Sequence, residues 1–337
     1  MPTNIALRSP QFKYINIPLI STALSAKCVI EIDGIERYTL TKNSPRNKTV
    51  NFDISELARD YLDITYDVNY VPQTVLIVTT LSLWTGLNGT GSQVGSDVVF
   101  NDTGLEAYGE YSEGTNPTLP SSAYLISNNP STSNFSVDIY YPKSIAGVIA
   151  FTGKIPMVIA GNISVQSFGQ GSTTIGGAYP SSISRIDCTK YGSGRKIIFI
   201  NKFGVQQDLW FFLKEAKTLG RKNEGFKSNT LTYPTTNNPA TYSVSNAPNK
   251  VFNTTAKQTF TLNSGYYPEQ ANQFFEQLLL SEYVWFERPQ KTNPSLNEVI
   301  PVKVKTSSMQ FKTSVNDRLI EYTIGFEEAF DYINNIR

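Results

Sequence analysis

Residues 196–212 read KIIFINKFGVQQDLWFF, a strand, a turn and a second strand. Residues 201–204 reverse the chain, and Gly204, which has no Cβ, is free to take the positive φ that such a reversal asks for. Farther along, Ile300, Val302 and Val304 alternate with Pro301, Lys303 and Lys305, and Ile320, Tyr322, Ile324 and Phe326 alternate with Glu321, Thr323 and Gly325. That period of two is the mark of strands with one buried face. Between hairpin and strands, a helix is predicted to begin near Pro268, whose missing N–H costs nothing at a first helical position, with Glu269 favouring the positive helix end. Ala271, Phe274, Phe275, Leu278 and Leu279 fall at i, i+3, i+4, i+7 and i+8, a single apolar stripe that must lie on the sheet. Residues 186–337 are therefore expected to form an antiparallel sheet packed by one long α-helix.

Toward the N-terminus, residues 169–184 are rich in Gly, Ser and Thr and mark the domain boundary. Residues 1–185 are read as a β-sandwich-like domain, so the chain as a whole is mainly β. Alternating runs flank Asp33-Gly34, a strong hairpin signal. Residues 48–52 form a strand leading to Asp53-x-x-Glu56, a capping-box pattern that predicts a short helix with Ile54, Leu57, Ala58 and Tyr61 on one face. Residues 75–84, VLIVTTLSLW, read as a buried strand. Residues 86–133 are expected to be a long Gly/Ser-rich insertion, since acids appear there with little periodicity. Strands resume around residues 135–140 and continue through 157–163. The two cysteines, Cys28 and Cys188, are read as buried free thiols.

In this chain of 337 residues, apolar residues make up 40% and charged residues only 17%, below the roughly 25% of an average soluble domain. Polarity comes from Ser, Thr, Asn and Gln, and 19 Tyr and 19 Phe supply ring surface that sheets and interfaces pack. A net charge of +1 offers no field to draw the chain onto nucleic acid or an anionic membrane. No apolar run reaches the ~20 residues of a membrane span. Residues 1–18 hold no basic segment followed by an apolar core and a small-residue cleavage site, so nothing there marks a secretory signal.

The chain contains no histidine, which removes Ser-His-Asp and Cys-His nucleophiles, His-ligated metal and HExxH zincins. No phosphate-binding loop or hydrolase elbow occurs. We therefore expect no catalytic residue, no metal site and no cofactor. Paired acids are what remains for catalysis, and Asp102 with Glu106 or Glu110 with Glu113 are read as solvated loop charges. Glu327, Glu328 and Asp331 are read as the wet face of a terminal turn. Lys214, Lys217, Arg221, Lys222 and Lys227 form a mild basic cluster beside Phe211, Phe212 and Phe226. Glu215 and Glu224 dilute it, and an exposed loop facing an acidic partner explains it as well as nucleic acid does. Tyr266, Tyr267, Tyr283, Trp285 and Phe286 flank the predicted helix, with Trp285 and Phe286 continuing an apolar run into the core. Tyr266, Tyr267, Phe211 and Phe212 are the interface candidates.

Four blocks carry a family likeness: FDISELARDYL at 52–62, FINKFGVQQDLWFF at 199–212, LNSGYYPEQANQFFEQLLLSEYVWF at 262–286 and VNDRLIEYTIGFEEAFDYINNIR at 315–337. Together they resemble tail and neck-region structural proteins of tailed bacteriophages of marine cyanobacteria and Bacteroidetes. The resemblance implies a ring or sleeve component of a virion, assembled in the host bacterial cytoplasm, whose partners are copies of itself and other virion structural proteins. It carries over no active residue. Two other readings compete with it: a tail adhesin in which aromatic loops recognise a host surface glycan, and a polysaccharide-cleaving tail enzyme built on paired acids.

Overall fold

The computed structural model describes residues 3–19, 21–44, 47–68, 73–109, 194–234, 236, 239–290, 292–313 and 319–332, together with strand segments 125–127, 134–143, 150–160, 166–168, 179–181 and 183–185. The protein is mainly β. The first strands are β1 Thr3–Ala6, β2 Phe12–Ile17, β3 Ser25–Ile32, β4 Ile35–Asn43, β5 Lys48–Asp53, β6 Thr74–Trp84 and β7 Gln93–Leu105, with helix α1 Ser55–Arg59 after β5. A five-stranded sheet runs in the order β1-β7-β6-β3-β4, and β2 and β5 form a separate antiparallel pair. Asp33 and Gly34 both have positive φ, as a tight hairpin turn between β3 and β4 requires.

Among the described residues the middle of the chain holds three strand pairs: β8 Leu125–Ser127 beside β13 Ile183–Arg185, β9 Asn134–Lys143 beside β10 Ala150–Ala160, and β11 Gln166–Phe168 beside β12 Tyr179–Ser181. Cys188, Glu110, Glu113, Gly169 and the residue 185/186 boundary itself lie in part or wholly outside the described residues.

A seven-stranded sheet follows, built from β14 Arg195–Ile200, β15 Gln206–Phe211, β16 Glu215–Lys227, β19 Asn249–Asn263, β21 Val284–Pro289, β22 Asn297–Val304 and β24 Thr323–Glu328. Its order is β15-β14-β21-β22-β24-β19-β16. Short pairs complete it: β17 Leu231–Thr232 with β18 Thr241–Tyr242, and β20 Tyr267–Pro268 with β23 Leu319–Ile320. The helix expected from Pro268 is a 3-10 turn, Glu269–Ala271, followed by α2, Asn272–Leu280. At nine residues it is not the long helix expected from Pro268, because the first turn is 3-10 and the backbone becomes extended at Ser281, ahead of β21.

The cores explain the arrangement. Ile198 and Ile200 of β14 and Trp285 of β21 pack with the N-terminal sheet, β2, β5 and α1. Ile197, Phe199, Val284 and Phe286, their immediate neighbours in sequence, pack with Phe211, Phe260, Phe275 and Phe326 on the side of α2. Successive residues of a strand point to opposite faces, so this strand pair is a wall with an apolar core on each side. An uninterrupted apolar run is what such a wall demands. The turn after β14 is set by Asn201, whose side-chain oxygen accepts N–H groups from Phe203 and Val205 at 3.0 and 3.1 Å. Gly204 has φ +78°, and a Cβ there would sit 3.0 Å from the Leu105 Cβ. Both backbone conformation and the close approach of β7 call for glycine.

Two loop expectations are corrected. Residues 93–105, expected inside a Gly/Ser-rich insertion, form a long strand that pairs with β6 on one side and parallel to β1 on the other. Glu327 and Glu328, expected on a terminal turn, belong to β24, where Glu328 is buried against Arg288. Only Asp331 is exposed.

Candidate assembly surface

Asp102 and Glu106 are not solvated loop charges; both are buried. Lys13 Nζ lies 2.6 Å from Asp102. Glu106 takes Arg59 in two-point fashion, Nε at 3.0 Å and Nη2 at 2.5 Å, with Arg8 Nε at 3.7 Å. Arg59 also reaches Glu282 at 2.7 Å, and Arg8 donates to the Leu280 carbonyl at the end of α2, where a cation suits the helix dipole. The hydrogen bond to Glu106 raises the Arg59 pKa above its ordinary value. Each buried acid is matched by a cation held in place, which ties the two sheets together and leaves neither carboxylate free to shuttle a proton.

Cys28 is buried and free, and burial pushes its thiol up to about 12, so it is inert at neutral pH. Among the described residues no group of three potential ligands is placed to hold a metal ion, and no helix is long and apolar enough to cross a membrane.

The feature that projects is the β16–β19 ribbon. Residues 215–227 pair with 249–262 along their whole length, but β24 covers β19 only from Thr259 to Asn263. Beyond that point the two strands have only each other as strand neighbours among the described residues, and β17–β18 carries the ribbon outward. From Leu219 to Thr232 the arm is roughly 40 Å long at ~3.3 Å per residue. Strand β16 is exposed from Lys217 onward and β19 from Asn249 to Phe252, as the polar, Thr- and Asn-rich sequence permits, while Asn253–Thr255 are half-buried and Ala256 is buried. A β-bulge falls between Glu224 and Gly225, adding local twist.

The arm nevertheless displays apolar groups. Phe226 and Phe252 pair with ring centroids 6.3 Å apart and are 49% and 61% exposed. Leu219, Val251, Tyr233 and Tyr242 are exposed as well. An isolated two-stranded ribbon has no core of its own and is marginal in water, so these exposed apolar side chains are the candidate surface.

The arm root is clamped by charge. Burial alone would raise the Glu215 pKa, but hydrogen bonds from Arg195 and Lys217 hold it below the usual carboxylate value. Lys305 and Lys257, at 2.9 and 3.3 Å, do the same for Glu327. Tyr332 N–H donates to the Ala256 carbonyl, closing the last tie to the body.

Of the four interface candidates, Phe211, Phe212 and Tyr267 are core residues within the chain, and Tyr267 donates its hydroxyl to the Trp210 carbonyl. Tyr266 is the one at the surface. Trp285 and Phe286 pack inward, on opposite sides of the wall. The basic cluster lies not on a loop but on β16, apart from Lys214 just before it. The region expected to be a polar stretch, 220–249, contains most of the arm. Sequence reasoning missed Phe252 and Val251; the signal was a pair of Thr-, Asn- and Lys-rich segments of similar length, each with a lone aromatic. No protein-family model, curated protein or solved structure matches the chain.

Proposed function

We propose that this chain is a non-enzymatic structural subunit that works by assembling with copies of itself and with other proteins. We place that work in a tailed-bacteriophage virion, in the tail, baseplate or neck, put together in the host cytoplasm. The observation that carries assembly is the exposed apolar arm, a costly feature for a solitary subunit and a useful one for a subunit that clasps a neighbour. The phage assignment rests on the four sequence blocks at 52–62, 199–212, 262–286 and 315–337. The first three contribute α1, the β14–β15 hairpin and α2 with β21, which meet where the two sheets join. The two-part organisation, 1–185 and 186–337, belongs to the same reading, with the β14–β21 wall as the joint.

Against a catalytic role stand the neutralised acids. Against a glycan site stands the arm tip, where Tyr233 and Tyr242 are exposed but residues 228–249 contain no carboxylate to grip sugar hydroxyls. The test is the solution mass of the full chain across a concentration series by light scattering. A defined multimer, alone or with neighbouring virion proteins, is expected. A monomer under every one of those conditions overturns the proposal.

A further inference from the structure

Resting on the assembly reading, we infer that the partner of the arm is a second copy of this chain, and that the arm lies across the acidic segment 53–67 of that copy. The charges decide it. Residues 215–257 carry Lys217, Arg221, Lys222, Lys227, Lys250 and Lys257 against Glu215 and Glu224, a surplus of four in a chain whose net charge is +1, so the rest of the chain is net −3. Lys217 and Lys257 are spent on the arm root. Arg221, Lys222, Lys227 and Lys250 are exposed and meet no carboxylate among the described residues.

The opposite charge is just as concentrated. Residues 53–67 hold Asp53, Glu56, Asp60, Asp63 and Asp67 against Arg59 alone. Arg59 is committed to Glu106 and Glu282, while Glu56, Asp60 and Asp63 are exposed and bonded to no cation among the described residues. Beside them Tyr61 is exposed, and Val68 is 71% exposed. An arm carrying cations and aromatic rings finds on this segment both a charge match and an apolar one.

Within one subunit no arm cation meets this segment among the described residues. The acidic segment is fastened to the β15 end of the seven-stranded sheet: Gln206 of β15 exchanges hydrogen bonds of 2.8 and 2.6 Å with the Asp67 backbone. The arm belongs to β16, at the other end, six strand spacings away, or roughly 29 Å at ~4.8 Å each. Complementary patches at opposite ends of one sheet give a head-to-tail contact, which closes into a ring or runs on as a filament. Arg221 and Lys222 on the exposed edge strand also discourage edge-to-edge pairing of two arms.

The experiment uses full-length chains and a charge exchange. Arg221→Glu with Lys222→Glu, and separately Asp60→Lys with Asp63→Lys, are each expected to lower the multimer to monomer at concentrations where the wild type assembles. Mixing the two reversed chains is expected to restore a multimer containing both. All four positions are exposed, and far-UV circular dichroism checks that each variant keeps its fold. Reversed chains that assemble like the wild type, or a mixture that stays monomeric, overturn the inference while leaving the assembly reading intact. A wild type that stays monomeric alone but assembles with other virion proteins, or that binds duplex DNA instead, overturns it too. Only monomers under every condition overturn both.

Discussion

The β14–β21 wall and the β16–β19 arm belong to one sheet and differ in everything that burial can change. In the wall, each successive side chain enters a core, Ile198 and Trp285 to one side, Ile197 and Phe286 to the other. In the arm, the outer residues of both strands are wet on both faces. The wall is therefore where the fold is decided and the arm is where the fold has something left over. Both strand pairs carry the same backbone ladder, and only the side chains distinguish them.

Breaking the wall produces the largest expected effect. Trp285→Ala or Phe286→Ala opens a cavity in one core or the other and is expected to cost about 3–5 kcal/mol, read as a lower denaturant midpoint in urea titration. Next comes the clamp between sheets. Arg59→Ala leaves the buried Glu106 with Arg8 at 3.7 Å as its nearest remaining cation, and a loss of about 2 kcal/mol is expected, reduced by the partial exposure of Arg59.

The arm root sharpens the contrast through pH. Both Glu215 and Glu327 have pKa values lowered in the folded chain. Their contribution is fully present above the ordinary carboxylate pKa of about 4.3 and is lost as pH falls through the lower folded values. Amide exchange at residues 215–219 and 257–262, corrected for intrinsic rates, is expected to be unchanged between pH 7 and 5 and to quicken below about pH 4. Protection that is flat through that acid range contradicts the clamp. The smallest effect on stability is expected for Phe252→Ala, within about 0.5 kcal/mol for the monomer, while the proposed assembly is expected to weaken, read as a lower mass by light scattering.

Strand β14 and the turn after it were legible because their sequence has one meaning, whereas β21 was read only as an apolar run leaving the helix. KIIFI followed by Asn and Gly admits a buried strand and a turn, and the alternation at 320–326 ends with Ile320, Tyr322, Ile324 and Phe326 all buried. Asp33-Gly34 announced its hairpin in the same way. Strand β7 was illegible because QVGSDVVFNDTGL lacks an in-out pattern; its pairing with β6 and β1 imposes the extended backbone, and Lys13 and Arg59 bring the cations that let Asp102 and Glu106 be buried. The arm was illegible for a related reason. A ribbon wet on both faces has no hydrophobic period, so its Thr- and Asn-rich strands read as loop. Phe211, Phe212 and Tyr267 were drawn toward an interface by their neighbours in sequence, but the turn after β15 and the start of α2 fold all three inward.

The central claim is that the arm is an assembly element and contributes nothing essential to the fold. It is tested most directly by replacing residues 225–252, the outer part of β16 and β19 beyond the Glu224–Asn253 pair, with an Asn-Gly turn, and measuring mass by light scattering beside the full chain. The account predicts a multimer for the full chain and a monomer for the shortened one, with the same thermal midpoint for both at concentrations where each is monomeric. A shortened chain that assembles to the same mass contradicts it.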